Sequence, residues 1–442
     1  DSINPNLAYS IGLAFGAMVQ VKGKNAVVVG RDGRLTGEAL QQALIHGLRE
    51  SGCDVTDVGM VASPILYFAT NVLDASSGIM VTASHNPAGD NGFKLVLAGV
   101  TLTAEGVQEI YQRIVECNFS ISSMGQLQHH DIVPEYINDI VQRIQLDRPL
   151  KIVVDYGNGV GGVAGPAVFR RLGCEVIPLF TAVDGRFPNH HPDPSKPKNL
   201  VDVIAAVGSE ACDLGLAFDG DGDRVGIITE TGQSIFADRL MMLLSEDVLS
   251  RNAGATIIYD VKCSRHLGPV IQNAGGKPVM WKTGHSLVKA KMKETGALLA
   301  GEMSGHIFFK ERWLGFDDGL YTAARLLEIF AKSQQTVSAQ FDLIPNDVST
   351  PELNIEVLDT EKFEIVERVA SIIADQGLPV STIDGVRVDL DSGWGLIRCS
   401  NTTPNLVLRF EAESTEALET IQSTMLTALK KAEPTLELES LC

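Results

Sequence analysis

The 442-residue sequence has no apolar run close to the roughly 18–20 residues that a membrane span requires. It has no cysteine pair at CxxC spacing either. Its seven cysteines (Cys53, Cys117, Cys174, Cys212, Cys263, Cys399 and Cys442) are scattered and odd in number, so neither a disulfide framework nor a zinc site is indicated. Basic residues are in deficit. The balance of 36 Lys and Arg against 55 Asp and Glu gives a net charge of -19, which argues against nucleic acid or an anionic membrane surface as partner. No signal-peptide pattern opens the chain, so the cytoplasm is the expected compartment. P-loop and kinase glycine-rich signatures are missing too.

What is present is an ordinary globular composition, 45% hydrophobic and 21% charged, on a chain too long for a single core. Short β-branched strands alternate with helix-like stretches, which predicts parallel sheets covered by helices. The layout occurs three times. NAVVVGRDGR, LKIVVDYGNG and TIIYDVKCSR each open a unit, and GCDVTDVG, GCEVIPLF and GGKPVMWK follow as second strands. The third strands then run into three different polar motifs: GIMV into TASHNP, DLGLAF into DGDGDR, and GALLA into GEMSGH. In open α/β sheets ligands bind beyond the carboxyl ends of strands, and all three motifs fall there. The last hundred residues read differently, as antiparallel strands (TIDGVRVDL, GLIRCS, NLVLRFEAES) followed by a helix from about Thr415 to Lys431.

DGDGDR places Asp219, Asp221 and Asp223 at alternate positions with glycines between them, so three carboxylates can meet one cation. Oxygen-only ligation favours Mg²⁺ or Ca²⁺. An EF-hand loop does not fit, because Arg224 stands where that loop needs glycine and the flanks read as strands. RCSNTTPNLVLR brings Arg398, Ser400, Asn401, Thr402, Thr403 and Arg409, whose guanidiniums, hydroxyls and backbone amides suit a phosphate dianion. Further cations stand at strand ends: Arg31, Lys94, Arg224 and Lys262. They supply the local positive charge that an anionic ligand needs on an acidic protein. GEMSGH puts Glu302, Ser304 and His306 on one side of an extended loop, a set suited to sugar hydroxyls. In KTGHS, His285 reads equally as a buried structural histidine, and His190 and His191 in FPNHHPDP read as part of a rigid loop. A serine beside Mg²⁺ could carry a phosphoryl group, and a serine that both gives and receives phosphate makes a mutase. Ser84, at the end of the GIMV strand, is the candidate for that serine, in a stretch that reads alternatively as a polar turn.

TASHNP, DGDGDR, GEMSGH and RCSNTTP, in this order and spacing, resemble the four active-site loops of the α-D-phosphohexomutases. GEMSGH and FPNHHPDP are most similar to the bacterial phosphomannomutase/phosphoglucomutase branch. The resemblance implies an α/β protein of four domains around a central cleft, three sharing a mixed α/β sheet core and the last an α+β domain. The expected boundaries are 1–130, 131–233, 234–346 and 347–442. It implies phosphorylated Ser84, Mg²⁺ on Asp219, Asp221, Asp223 and the phosphoserine, and Glu302 and Ser304 on the sugar's 3- and 4-hydroxyls, with His306 lining the same loop. Arg398, Ser400, Asn401 and Thr402 would hold the non-reacting phosphate, with Thr403 and Arg409 nearby. Lys94, Arg224, Lys262, His285 and Arg31 would complete the site, with His85 and Lys94 as candidates for proton transfer.

The implied reaction interconverts mannose or glucose 1- and 6-phosphates through a hexose 1,6-bisphosphate, which must reorient between two transfers. That chemistry supplies nucleotide-sugar and exopolysaccharide synthesis, and a monomer is expected. Alternatives are a phosphoglucosamine mutase, a phosphatase, or a non-catalytic sugar-phosphate sensor on the same scaffold. One departure stands out. The family's aromatic-Asp-Ile-Arg-Gly loop, whose arginine lies near the phosphoserine, would precede Asp1. If the protein lacks it, activity is expected to be impaired.

Overall fold

The computed structural model describes residues 3–119, 121–401 and 403–438. The chain divides into two compact units: Asp1–Ala237 with Lys289–Leu299 and Ser304–Asp342, and Asp238–Val288 with Ala300–Met303 and Leu343–Cys442.

The first unit holds two sheets. Edge to edge, one runs Val100–Thr101, Phe93–Leu97, Gly78–Val81, Ala26–Arg31, Asp54–Met60, Leu127–His129. The β-branched run of Ala26–Arg31 is buried and pairs in parallel with Asp54–Met60 and Gly78–Val81, setting Arg31 opposite Val81. Helices Pro5–Val21 and Gly37–Glu50 cover one face. They approach closely because Gly47 lacks a side chain: a Cβ there would lie 2.1 Å from the Tyr9 carbonyl oxygen.

The second sheet runs Ser234–Ile235, Val225–Thr229, Leu214–Phe218, Lys151–Asp155, Glu175–Leu179. The alternation of strands and helices predicts the parallel centre of each sheet, and the sheets are mixed, as the family resemblance implies. Phe93–Leu97 and Val225–Thr229 both pair antiparallel to their neighbours. The physical reason lies in the polar motifs. Thr82–Gly92 and Asp219–Arg224 are too short to hold a crossover helix, so the chain turns straight back. Both of these polar motifs are thus the loops of hairpins, and Lys94, opposite Met80 across the ladder, is set one step from the serine loop.

In the second unit Thr256–Asp260 pairs in parallel with Lys277–Trp281. The C-terminal antiparallel sheet is built on Asn405–Ala412, Gly393–Cys399 and Val386–Leu390. Helix Thr415–Ala432, capped by the Ser414 side chain, packs Ile421, Met425 and Leu429 onto it. The strands and helix expected for this region are therefore present. Among the described residues no helix is long and apolar enough to cross a membrane.

Candidate active site

In the first unit Ser84 leaves its strand with φ of 50°, a left-handed conformation. Its Oγ donates to Asp219 Oδ2 at 3.0 Å and lies 3.2 Å from His85 Nδ1. The Asp219–Arg224 turn closes the hairpin in which Phe218 faces Val225, and its three carboxylates are fully buried within 4.8 Å of one another. Gly220 is needed for the close approach of this turn, since a Cβ there would lie 2.6 Å from the Ser84 carbonyl oxygen.

Lys94 Nζ bonds Asp221 Oδ2 at 2.7 Å and Asp223 Oδ2 at 2.5 Å. Burial opposes its charge, but the two carboxylates outweigh burial and hold its pKa well above the ordinary lysine value. Burial pushes Asp221 up, but the Lys94 charge, its hydrogen bond and that of Ser63 more than offset this and hold Asp221 low. Asp219 is pushed well up, by burial first and then by its two acidic neighbours. Arg224 and burial together hold His85 down at about 3, so its imidazole is neutral.

A divalent cation fits this arrangement. Asp221 and Asp223 each spend one oxygen on Lys94, while both Oδ1 atoms are buried without a hydrogen bond, Asp223 Oδ1 lying 3.4 Å from His306 Nδ1. Such orphaned acceptors are costly unless a cation takes them, and an all-oxygen set suits a hard one. Arg224 Nε donates to His306 Nε2 at 2.9 Å, so the His306 proton sits on Nδ1, which faces Asp317 Oδ2 at 3.0 Å. Lys289 Nζ holds the other Asp317 oxygen at 2.9 Å. Arg31 is half-buried and donates to the Asp32 carbonyl. His190 Nε2 donates to Asp155 Oδ2, 2.8 Å away, and the ring lies edge-on to Phe180, so it is engaged inside its own loop.

In the second unit Lys262 Nζ bonds Glu352 Oε2 at 2.8 Å. Arg398 Nε holds Asp384 Oδ2 at 3.0 Å, while its buried Nη2 has no hydrogen-bond partner. An unspent guanidinium nitrogen beside a hydroxyl loop is what a phosphate oxygen would meet. Ser400 Oγ accepts from Thr403 Oγ1 at 2.8 Å, and Asn401 Nδ2 donates to the Thr283 carbonyl at 2.9 Å. Thr402 lies outside the described residues. Glu302 is buried and accepts from the Gly284 amide at 3.0 Å. His285, half-buried, begins the helix His285–Thr295. Arg409 lies beneath Lys262: its buried guanidinium binds Asp238 Oδ2 at 3.0 Å and the Lys262 carbonyl, and sits over the Trp394 ring. Ser304 belongs, with His306, to the first unit.

Sequence reading passed over Arg34, Ser63, Asp317, Lys289, Glu352 and Asp384. For Arg34 the signal was available, since GRDGR offers two arginines and only one was weighed. The others lie in stretches with no motif of their own.

A serine against a buried three-carboxylate cluster on an α/β sheet, in a chain that also carries an arginine-and-hydroxyl loop, defines a metal-assisted phosphoryl-transfer protein. Comparison with known sequences gives the family. Profiles of phosphoglucomutase/phosphomannomutase alpha/beta/alpha domains I, II and III match residues 1–120, 134–232 and 236–346, and that of the C-terminal domain matches 352–428. The chain belongs to the phosphoglucomutase/phosphomannomutase family, the bacterial α-D-phosphohexomutases, which are intramolecular phosphotransferases. It is 55% identical to a phosphomannomutase/phosphoglucomutase of Pseudomonas aeruginosa over 99% of this chain and 94% of that one. A phosphoglucomutase of Neisseria meningitidis is 49% identical over 96% of this chain and 92% of that one. A solved phosphoglucomutase/phosphomannomutase family structure from Burkholderia thailandensis superposes with TM-score 0.93 at 51% identity, covering 98% of this chain and 95% of that one.

Proposed function

We propose that this chain interconverts the 1- and 6-phosphates of mannose and glucose through phosphorylated Ser84 and a hexose 1,6-bisphosphate. The observation that carries the reading is Ser84 Oγ, 3.0 Å from Asp219 in a cluster of three buried carboxylates. Identity to relatives named for both sugars supports the dual specificity.

A phosphoserine form transfers its phosphoryl group to a free sugar hydroxyl: the bond from phosphorus to Ser84 Oγ breaks as the bond to the sugar oxygen forms, and the sugar hydroxyl's proton passes to Ser84 Oγ. The bisphosphate then turns, and its other phosphate returns to Ser84. Asp219, Asp221 and Asp223 would hold Mg²⁺, which supplies charge neutralisation on the transferring oxygens. On the return step the serine proton passes through His85 Nδ1, 3.2 Å from Ser84 Oγ, to the departing sugar oxygen; because Arg224 and burial disfavour the imidazolium, His85 relays the proton and does not store it. Lys94 and Arg224 supply fixed positive charge at the same place. Arg398, Ser400, Asn401, Thr402 and Thr403 hold the resting phosphate with Lys262, while Glu302 and Ser304 grip sugar hydroxyls. His306 orients Arg224, Arg409 holds the Lys262 backbone, and Arg31 and His285 add polar contacts to the ligand. A buried arginine fork discriminates phosphate by geometry as well as charge.

The test is intact-protein mass spectrometry with peptide mapping, before and after incubation with glucose 1,6-bisphosphate and Mg²⁺. Phosphate gained or lost at Ser84, with mannose 6-phosphate and glucose 6-phosphate formed from their 1-phosphates, is the expected result. Release of free phosphate without isomerised sugar would make the protein a phosphatase, and an inert Ser84 would make it a sugar-phosphate sensor.

A further inference from the structure

We propose that Arg34 is a positioning residue for the nucleophile, fixing the Ser84–Asp90 loop so that Ser84 Oγ addresses the carboxylate cluster; this rests on the reading of Ser84 as the phosphoryl carrier. Arg34 is 1% exposed, yet its guanidinium meets one carboxylate and four main-chain carbonyls. Nη2 donates to the carbonyls of Ser84 at 2.9 Å and Asn86 at 2.7 Å. Nη1 donates to those of Pro87 at 2.6 Å and Asp90 at 2.9 Å, and Nε reaches Asp32 Oδ2 at 3.2 Å. A guanidinium has five N–H donors, and all five are used. None is left for a substrate, so Arg34 acts on the reaction only through the loop.

Ser84 explains why such a holder is required. A non-glycine residue in the left-handed region persists only where its surroundings over-determine it. Both of its main-chain polar groups are taken by side chains. Its amide donates to Thr82 Oγ1 at 2.9 Å, and its carbonyl accepts from Arg34. Thr82 Oγ1 in turn donates to Asp32 Oδ2 at 2.7 Å, and Asp32 Oδ1 accepts the Arg34 amide at 2.9 Å. The four residues form a closed ring of hydrogen bonds around the serine, and Thr82 and Asp32 are buried like Arg34. Phe187, 5.4 Å from the guanidinium, packs against it. The ring dictates the backbone of Ser84, and with it the direction of Oγ.

Lysine cannot replace this fork, because an ammonium has three donors on a flexible stem and no fixed plane. The test compares Arg34→Lys and Thr82→Val with wild type and with Thr82→Ser, which restores the hydroxyl. Wild type is first incubated with glucose 1,6-bisphosphate and Mg²⁺. A wild-type Ser84 that never becomes phosphorylated overturns the reading of Ser84 itself. With wild type labelled, single-turnover phosphorylation of Ser84 and steady-state kcat should both fall about 10- to 100-fold in Arg34→Lys and Thr82→Val. KM should stay within about threefold, and Thr82→Ser should recover most of the rate. All variants are assayed well below their Tm, so that a loss of folded protein cannot imitate the effect. Wild-type rates in Arg34→Lys, a loss confined to KM, or a Thr82→Val variant as fast as Thr82→Ser would each overturn the inference.

Discussion

The Lys94 ammonium lies 2.7 Å from the Asp221 carboxylate, on a side chain only 13% exposed, and the Asp223 carboxylate takes the same nitrogen. Lys94 therefore sets one positive charge against the two carboxylates it touches. Removing it as Lys94→Met strands buried carboxylates, and breaking a buried pair in this way costs about 3–5 kcal/mol. The loss should be largest in EDTA and should shrink when Mg²⁺ is added. Urea unfolding curves in both buffers measure it. An equal loss with and without Mg²⁺ would mean that the cation does not share these oxygens.

Metal dependence should follow the same carboxylates. Chelation is expected to abolish turnover, and Mg²⁺ to restore it. Asp221→Asn removes one charge and one strong ligand while keeping shape, so the Mg²⁺ concentration for half-maximal rate should rise about tenfold or more. A titration of rate against Mg²⁺ checks this, and an unchanged midpoint would place the ion elsewhere.

Much of this arrangement was legible in the sequence, for a local reason. Strands end where β-branched runs stop, so Ser84 and Asp219 are placed at strand ends by their own neighbours, and the glycines of DGDGDR state that its carboxylates converge. What stayed hidden depends on partners far along the chain. Arg34 and Arg31 sit in one pentapeptide, and nothing local says that Arg34 turns inward to carbonyls 50 or more positions away while Arg31 stays at the strand end. Asp317 acquires its place only once His306 and Lys289 converge on it. Alternation of strands and helices reports only a parallel centre and says little about a short return loop, so the mixed character of the sheets came from the family resemblance and not from periodicity.

Arg398 offers a contrast between charge and geometry. Its Nε is committed to Asp384, and the buried Nη2 has no hydrogen-bond partner. Arg398→Lys keeps the charge and loses the fork. KM for glucose 1-phosphate should rise about 10- to 100-fold, equivalent to about 1.4–2.7 kcal/mol of binding, with kcat affected less. Initial rates over a range of sugar phosphate decide it; a loss only in kcat would remove Arg398 from the resting-phosphate site.

Away from the chemistry, Asp318 should make stability depend on pH. It caps the helix Gly319–Lys332 by accepting from the Tyr321 amide at 2.9 Å, and it also meets the Tyr136 hydroxyl and the Trp313 indole in an aromatic box. Burial pushes its pKa up to about 7, against the pull of these hydrogen bonds. The folded protein thus binds a proton that the unfolded chain releases near pH 4. The stabilisation is complete at pH values below that of the unfolded group, and it is lost as pH rises toward 7. Three pH units correspond to at most about 4 kcal/mol. Asp318→Asn keeps an acceptor for the Tyr321 amide and cannot ionise. Its stability should therefore fall less than that of wild type between pH 4.5 and 7.5, so that the variant gains on wild type toward neutrality. Unfolding free energies of both proteins across that range measure the difference, and parallel profiles would show that Asp318 stays ionised in the folded protein.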